Sequence, residues 1–152
     1  MELNEAKNQA KQQIAKYCPD YSFKFDNANA RFGLCNYGKK TITLSKKLVL
    51  MNDEARVNNT ILHEIAHVLA GGKNGHNHIW KAKAIEIGCD GKRCYNSKAV
   101  NKPEGRFVYE CPECKKEIYR HRRMKSRSAC SQCCNEHNGG KFTEEFVLRW
   151  VR

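Results

Sequence analysis

The chain has 152 residues, a formal charge of +12, 40% apolar side chains and nine cysteines. That length allows one compact domain, or a domain plus a small appendage, and the charge favours a polyanionic partner, nucleic acid first. The polar opening, MELNEAKNQAKQQIAKYC, argues against a secretory signal, and no segment approaches the roughly eighteen apolar residues of a membrane span.

The expected address is therefore the cytoplasm, where an odd number of cysteines reads as metal ligation rather than a disulfide framework. Leu3, Ala6, Ala10, Ile14 and Tyr17 recur at helical spacing, and the run stops at Cys18-Pro19-Asp20. Tyr21, Phe23 and Phe25 then alternate with Ser22, Lys24 and Asp26 as in a half-buried strand. Ala30, Phe32 and Leu34 repeat the alternation, and after a turn at 36–39 the segment TITLS predicts a third strand. One helix followed by a small, mostly antiparallel sheet is expected.

Asn52 or Asp53 can cap the next helix, 54–70, which ends at Gly71-Gly72. Its apolar residues, Val57, Ile61, Leu62, Ile65, Val68 and Leu69, cover more than half its circumference and predict burial. A further helix fits 78–88. From 88 to 106 the pattern dissolves into a loop, which divides a first domain, 1–102, from a second, 103–152. There, short alternating runs (FVY, EIY, FVLRWV) surround paired cysteines. The fold class is α+β.

The helix over 54–70 carries chemistry. His63 and His67 are four residues apart and project from one side, one turn apart, so two imidazoles can hold a Zn²⁺ ion at about 2.0–2.1 Å. Glu64 can reach a water at that metal without ligating it, which is the arrangement hydrolysis of a carbonyl compound needs. Two buried histidines and a glutamate are costly in an apolar helix unless a metal or partner satisfies them. A hydrolytic zinc takes a third protein ligand. A metzincin would need glycine at 70 and histidine at 73, where this chain has Ala70 and Lys73. Glu86, with Asp90 four residues on, imitates a gluzincin ligand, and His76 and His78 follow a flexible GGKNG turn.

His63-Glu64-x-x-His67 followed by Gly75-His76-x-x-x-Trp80 resembles the SprT-like (Spartan-type) metalloproteases. NARFGLC at 29–35 and TITLSKKL at 41–48 are similar to the sheet segment that precedes the active-site helix in that family. The resemblance implies a zincin-like core of N-terminal helix, small antiparallel sheet and HExxH helix. It selects His76 as the third ligand and gives Trp80 the task of packing the next helix. Asn77 departs from the glycine or aspartate common after the third ligand.

Cys111, Cys114, Cys130 and Cys133 form C-x2-C-x15-C-x2-C, two knuckles whose four thiolates close a tetrahedral zinc site with no position for water. A zinc ribbon of this size needs its metal for stability. The insert carries Lys115, Lys116, Arg120, Arg122, Arg123, Lys125 and Arg127 against one acid, Glu117. Tyr119, with Tyr109 and Trp150, can stack on bases, an arrangement suited to single-stranded DNA. Cys18 and Cys35 read as apolar fillers, while Cys89, Cys94 and Cys134 have no assigned role.

The expected protein is thus a zinc metallopeptidase with two zinc sites, one catalytic (His63, His67, His76, with Glu64 as base) and one structural. Strand TITLS would offer a rim along which an extended substrate adds. The resemblance implies substrates bound or crosslinked to DNA, DNA as activator, and a nucleoid-associated place in the cytoplasm. The rival reading is a zinc-stabilised DNA-binding adaptor with an inactive site, against which the retention of Glu64 counts. Tyr37, Tyr95 and several arginines are open candidates for stabilising an oxyanion.

Overall fold

The structure, a computed structural model, describes residues 1–96 and 98–152. It is a mixed α+β arrangement in two compact units, Met1–Pro103 and Glu104–Arg152.

The first unit begins with α1 (Leu3–Tyr17), whose Ala6, Ala10 and Ile14 line one buried face, as their spacing predicts. Three strands follow, β1 (Ser22–Asp26), β2 (Gly33–Asn36) and β3 (Thr41–Ser45), in the order β1-β3-β2. The sheet is mixed rather than antiparallel. β2 pairs antiparallel with β3, but β1 pairs with it in parallel, Ser22 opposite Thr41 and Asp26 opposite Ser45. The cause lies in residues 27–32, which cross over so that β3 returns between the two earlier strands. Asp26 fastens that crossover by accepting from the Ala28 N–H at 2.9 Å, the Thr43 hydroxyl at 2.8 Å and Arg31 at 2.6 Å.

Two expectations change with this topology. The alternation at 30–34 marks no strand before Gly33; Phe32 instead turns into the core, and its carbonyl accepts the Ser45 N–H at 2.8 Å. The segment TITLS is the central strand, buried along nearly its whole length, so it offers no rim. The edges belong to β1 and β2, and β2 is the one that lies beside the helix Glu54–Ala70.

A six-residue helix, α2 (Lys46–Met51), follows β3 directly and was not expected, because KKLVLM has no helical period long enough to read. Ser45 caps it by accepting from the Leu48 N–H, and the helix buries Leu48 and Val49. Asn52 then clasps Asn101: the Asn52 amide donates to the Asn101 carbonyl at 2.9 Å, and the Asn101 N–H donates back at 3.0 Å.

Helix α3 (Glu54–Ala70) is capped by Asp53, which accepts from the Arg56 N–H at 2.8 Å, and ends at Gly71, whose φ of +84° few other residues adopt. It is buried on two sides. Val57, Ile61 and Ile65 join Ala6, Ala10, Ile14, Ile42 and Leu44 in the main core. Leu62 and Ala66 pack instead on Trp80 and Ala84 of α4 (His78–Glu86). The histidines of α3 emerge at this second contact.

In the second unit, β4 (Phe107–Glu110), β5 (Glu117–Arg120) and β6 (Arg149–Trp150) form an antiparallel sheet in the order β5-β4-β6. A short helix, α5 (Ser131–Asn138), grows out of the second cysteine knuckle and ends at left-handed Gly139. Cys111, Cys130, Cys133 and Cys134 lie in the core with Tyr109, Phe146 and Leu148. Tyr109 is only 7% exposed, and its hydroxyl accepts the Met124 N–H at 3.0 Å, so it is a core residue and not a stacking platform. Among the described residues no helix is long and apolar enough to cross a membrane.

Candidate metal centres

The turn after α3 folds back by stepwise hydrogen bonding. The Asn74 N–H donates to the Gly71 carbonyl at 3.1 Å, and the Asn74 amide donates to the Ala70 carbonyl at 2.5 Å. Gly75 supplies a φ of +49°. Asn77 then starts α4, its side chain accepting from the Ile79 and Trp80 N–H groups. This explains the asparagine after His76: it is a helix cap, held by its neighbour Asn74 at 3.0 Å.

The turn delivers His76 to His63 and His67. Both pairs, His63 with His76 and His67 with His76, bring their Nε2 atoms to 3.0 Å. One Nε2 cannot serve both neighbours at once as donor and acceptor, so hydrogen bonding inside the cluster leaves it unsatisfied. A tetrahedral cation with ligands at about 2.05 Å would set nitrogens about 3.3 Å apart, close to what is seen. Burial, then the adjoining imidazoles, push His63 and His67 down to about 4, so both are neutral at physiological pH with lone pairs free for a metal. The three donors could hold a metal ion. His78 stands exposed at the start of α4, and Glu86 is taken by Lys83 at 3.1 Å; neither joins the cluster.

Trp80 forms the floor. It is 1% exposed, with its ring centroid 4.7 Å from His63, 5.4 Å from His67 and 4.6 Å from His76. Its task is therefore broader than packing α4, since it also seals the imidazoles from beneath.

Glu64 is 8% exposed, wedged between α3 and β2. Burial raises its carboxyl to about 7, against the pull of the Cys35 backbone N–H and the Arg31 charge. Room for it exists because position 33 is glycine: a Cβ there would lie 2.8 Å from Glu64 Oε1 and 2.9 Å from its Cγ. Sequence reasoning missed Gly33, because only the register of β2 across α3 reveals the contact. The clefts on either side of Glu64 share Gly33, His63 and Arg93. Of the open candidates beside the site, the Tyr37 hydroxyl donates to the His67 carbonyl at 3.3 Å and the Tyr95 hydroxyl to the Ala30 carbonyl at 2.8 Å. Arg93 is the arginine that lines both clefts; burial, then the Arg93 charge, holds His76 below the usual histidine range.

The cysteine cluster has different proportions. Cys111 Sγ lies 3.7 Å from Cys133 Sγ, and Cys114 Sγ lies 3.8 Å from Cys130 Sγ. A disulfide would need about 2.05 Å, whereas thiolates on tetrahedral zinc at about 2.3 Å sit about 3.8 Å apart. The four sulfurs could hold a metal, and all nine cysteines are free thiols. Cys134 lies in the core of the second unit beside them, and Cys89 packs with Trp80 and Ala84 of α4. Burial raises the Cys18 and Cys35 thiols to about 11 and 12; Cys18 lies in the main core as a filler would, whereas Cys35 is half-buried and lines the cleft that holds His67 and His76.

Lys115, Lys116, Arg120, Arg122, Arg123, Lys125, Arg127 and Tyr119 are all exposed. Arg127 pairs with Glu144, and Arg123 lies 5.1 Å over the ring of Trp150, itself 59% exposed.

No curated protein and no solved structure matches the chain. A family model does: SprT-like matches residues 3–100, which include α3, the turn and α4. With about two thirds of its length so matched, the chain belongs to the SprT-like family.

Proposed function

We propose that the chain is a zinc-dependent endopeptidase that cuts proteins held on or crosslinked to DNA, with single-stranded DNA as its activating partner. The observation that carries the peptidase reading is Glu64. A cluster that only bound a structural metal would have no use for a buried carboxyl beside it, and burying one is costly.

A zinc ion held by His63, His67 and His76 would supply Lewis acidity, acidifying water and polarising a carbonyl. The remaining work falls to the chain. Glu64, held near pH 7 by its burial, is poised to take a proton from water and return it to the leaving amine. The Cys35 N–H beside the carboxylate and the bare Gly33 backbone keep it aimed. The edge of β2 can pair with an extended segment through backbone hydrogen bonds, which hold the substrate main chain and leave side-chain selection to the clefts. Arg93, shared by both clefts, is the cation best placed to face a developing oxyanion.

The DNA part of the proposal rests on the ribbon, where seven exposed cations accompany exposed Tyr119 and Trp150. The test compares wild type with Glu64→Gln on a basic DNA-binding protein, with and without single-stranded DNA, by gel. Cleavage by wild type alone and chiefly with DNA is expected, the variant losing about 10²–10⁴-fold while keeping its zinc. Equal cleavage without DNA would remove the activator. No cleavage by a zinc-loaded, DNA-binding wild type would leave the adaptor.

A further inference from the structure

Beside Glu64, on the side away from His67, opens a cleft of about 390 Å³. Phe32 and Tyr95 give it aromatic walls, 6.4 Å apart and edge-on. The Tyr95 hydroxyl ties the wall to the Ala30 carbonyl at 2.8 Å, so the cleft is built and not a loose gap. His63 and Glu64 close its inner end, where the reacting bond would sit.

Its cations are not equivalent. Arg31 is engaged by Asp26 at 2.6 Å, and Lys102 lies 4.8 Å over the Tyr95 ring. Arg56 stands apart. Its side chain is 19% exposed, its Nε is buried without a hydrogen-bond partner, and the acid paired with it, Asp90, stays 4.0 Å away. Asp90 turns instead into its own loop, accepting the Lys92 N–H at 3.0 Å. The buried Nε–H of that guanidinium has no hydrogen-bond acceptor among the described residues, an expensive arrangement unless a ligand supplies one.

We infer that this cleft is a side-chain pocket for substrate, and that Arg56 makes it select an acidic residue, glutamate above its neutral isostere, next to the bond that is cut. The inference rests on the peptidase reading for its place in the reaction but not for the pocket itself. Aromatic walls suit the methylene stem, and the guanidinium fork suits a carboxylate in two parallel hydrogen bonds. A nucleic-acid phosphate is the competing occupant, since Arg31, Lys92, Arg93 and Lys102 also line the cleft, but the aromatic walls at Phe32 and Tyr95 fit a methylene stem better than a sugar-phosphate chain.

Two measurements test it. The zinc-loaded full chain is titrated with N-acetyl-glutamate N-methylamide, its glutamine counterpart and a thymidine dinucleotide, following the Arg56 Nε–H signal by NMR. The glutamate model should move that signal saturably at concentrations about tenfold lower than the glutamine model. Equal responses to both models, none to either, or a stronger response to the dinucleotide would overturn the assignment. In the second, peptides differing only in glutamate or glutamine beside the scissile bond are compared. Wild type should favour glutamate about tenfold, and Arg56→Met should bring the ratio to about one. A ratio that Arg56→Met leaves unchanged contradicts the role of Arg56. If wild type cuts no peptide even with single-stranded DNA present, the peptidase reading fails, and the titration still decides the pocket.

Discussion

The histidine cluster and the cysteine cluster each gather side chains at metal-ligand spacing, yet they are built on opposite plans. The four cysteines are the centre of their unit: Cys111, Cys130 and Cys133 are fully buried, and without them little apolar material remains for a core. The three imidazoles sit at the surface of a unit that already has a core of its own, from α1, the sheet and α3. They lie over Trp80, with clefts on either side and a buried carboxyl between. Four closed ligands make a staple, and three ligands with an open side make a reagent. If both clusters hold zinc, the second unit should fail to fold without its ion, and the first should tolerate loss of its own.

The largest effect that would break this contrast is loss of the staple. Cys111→Ser should abolish folding of Glu104–Arg152, since the metal supplies most of what holds such a small unit, about 10–16 kcal/mol in comparable zinc modules. Cys111 is the better choice than Cys133, whose neighbour Cys134 could take its place. Zinc content should fall by one equivalent, and limited proteolysis should clip the segment. A protected segment in the zinc-poor variant would mean that the cysteines are ordinary core residues.

Next in size is Gly33→Ala. The added methyl would meet Glu64 Oε1 at 2.8 Å and Thr60 Cγ2 at 3.1 Å, so the carboxylate must swing aside while the imidazoles stay. Turnover should drop about ten- to hundredfold, with the zinc content unchanged. Activity within twofold of wild type would show that the position of Glu64 is uncritical.

The smallest effect concerns pH. His63 and His67 have folded values near 4, below the ordinary histidine range around 6.5, so the fold favours their neutral forms. In the metal-free chain their contribution to stability is present above pH 6.5 and is lost as pH falls toward 4. Glu64 runs the other way: raised to about 7, it contributes most below pH 4.5, and that contribution is lost as pH rises through 7. Two histidines outweigh one carboxyl, so the metal-free unit should weaken overall between pH 6.5 and 4. For the same reason the site should keep binding metal at pH 5.5, where an ordinary imidazole is mostly protonated. Metal release near pH 6.5, followed with a coloured divalent ion, would show that the imidazoles are not held neutral.

The parts of this protein that were legible in its sequence are those fixed by local spacing. The i, i+4 histidines, the cap at Asp53, the stop at Gly71 and the paired cysteines all depend on residues within a turn or a knuckle of one another. What escaped depends on distant segments meeting. The parallel pairing of β1 with β3 follows from a crossover whose fastening, Asp26, looks in sequence like any strand-end acid. Gly33 and Arg56 acquire meaning only when β2 and the 90–95 segment are laid against α3. The helix α2 was hidden because six residues are too few to show a period, and α5 because SQCCNEHN carries no apolar stripe.

The contrast between staple and reagent is tested most directly by stepwise chelation of the fully zinc-loaded chain, following zinc content, fold and cleavage together. The open histidine site should lose its ion first, and cleavage should vanish with that first equivalent while the ribbon stays folded. Returning one equivalent should restore activity. Cleavage that survives removal of the first ion, or that disappears only as the ribbon unfolds, would contradict the account.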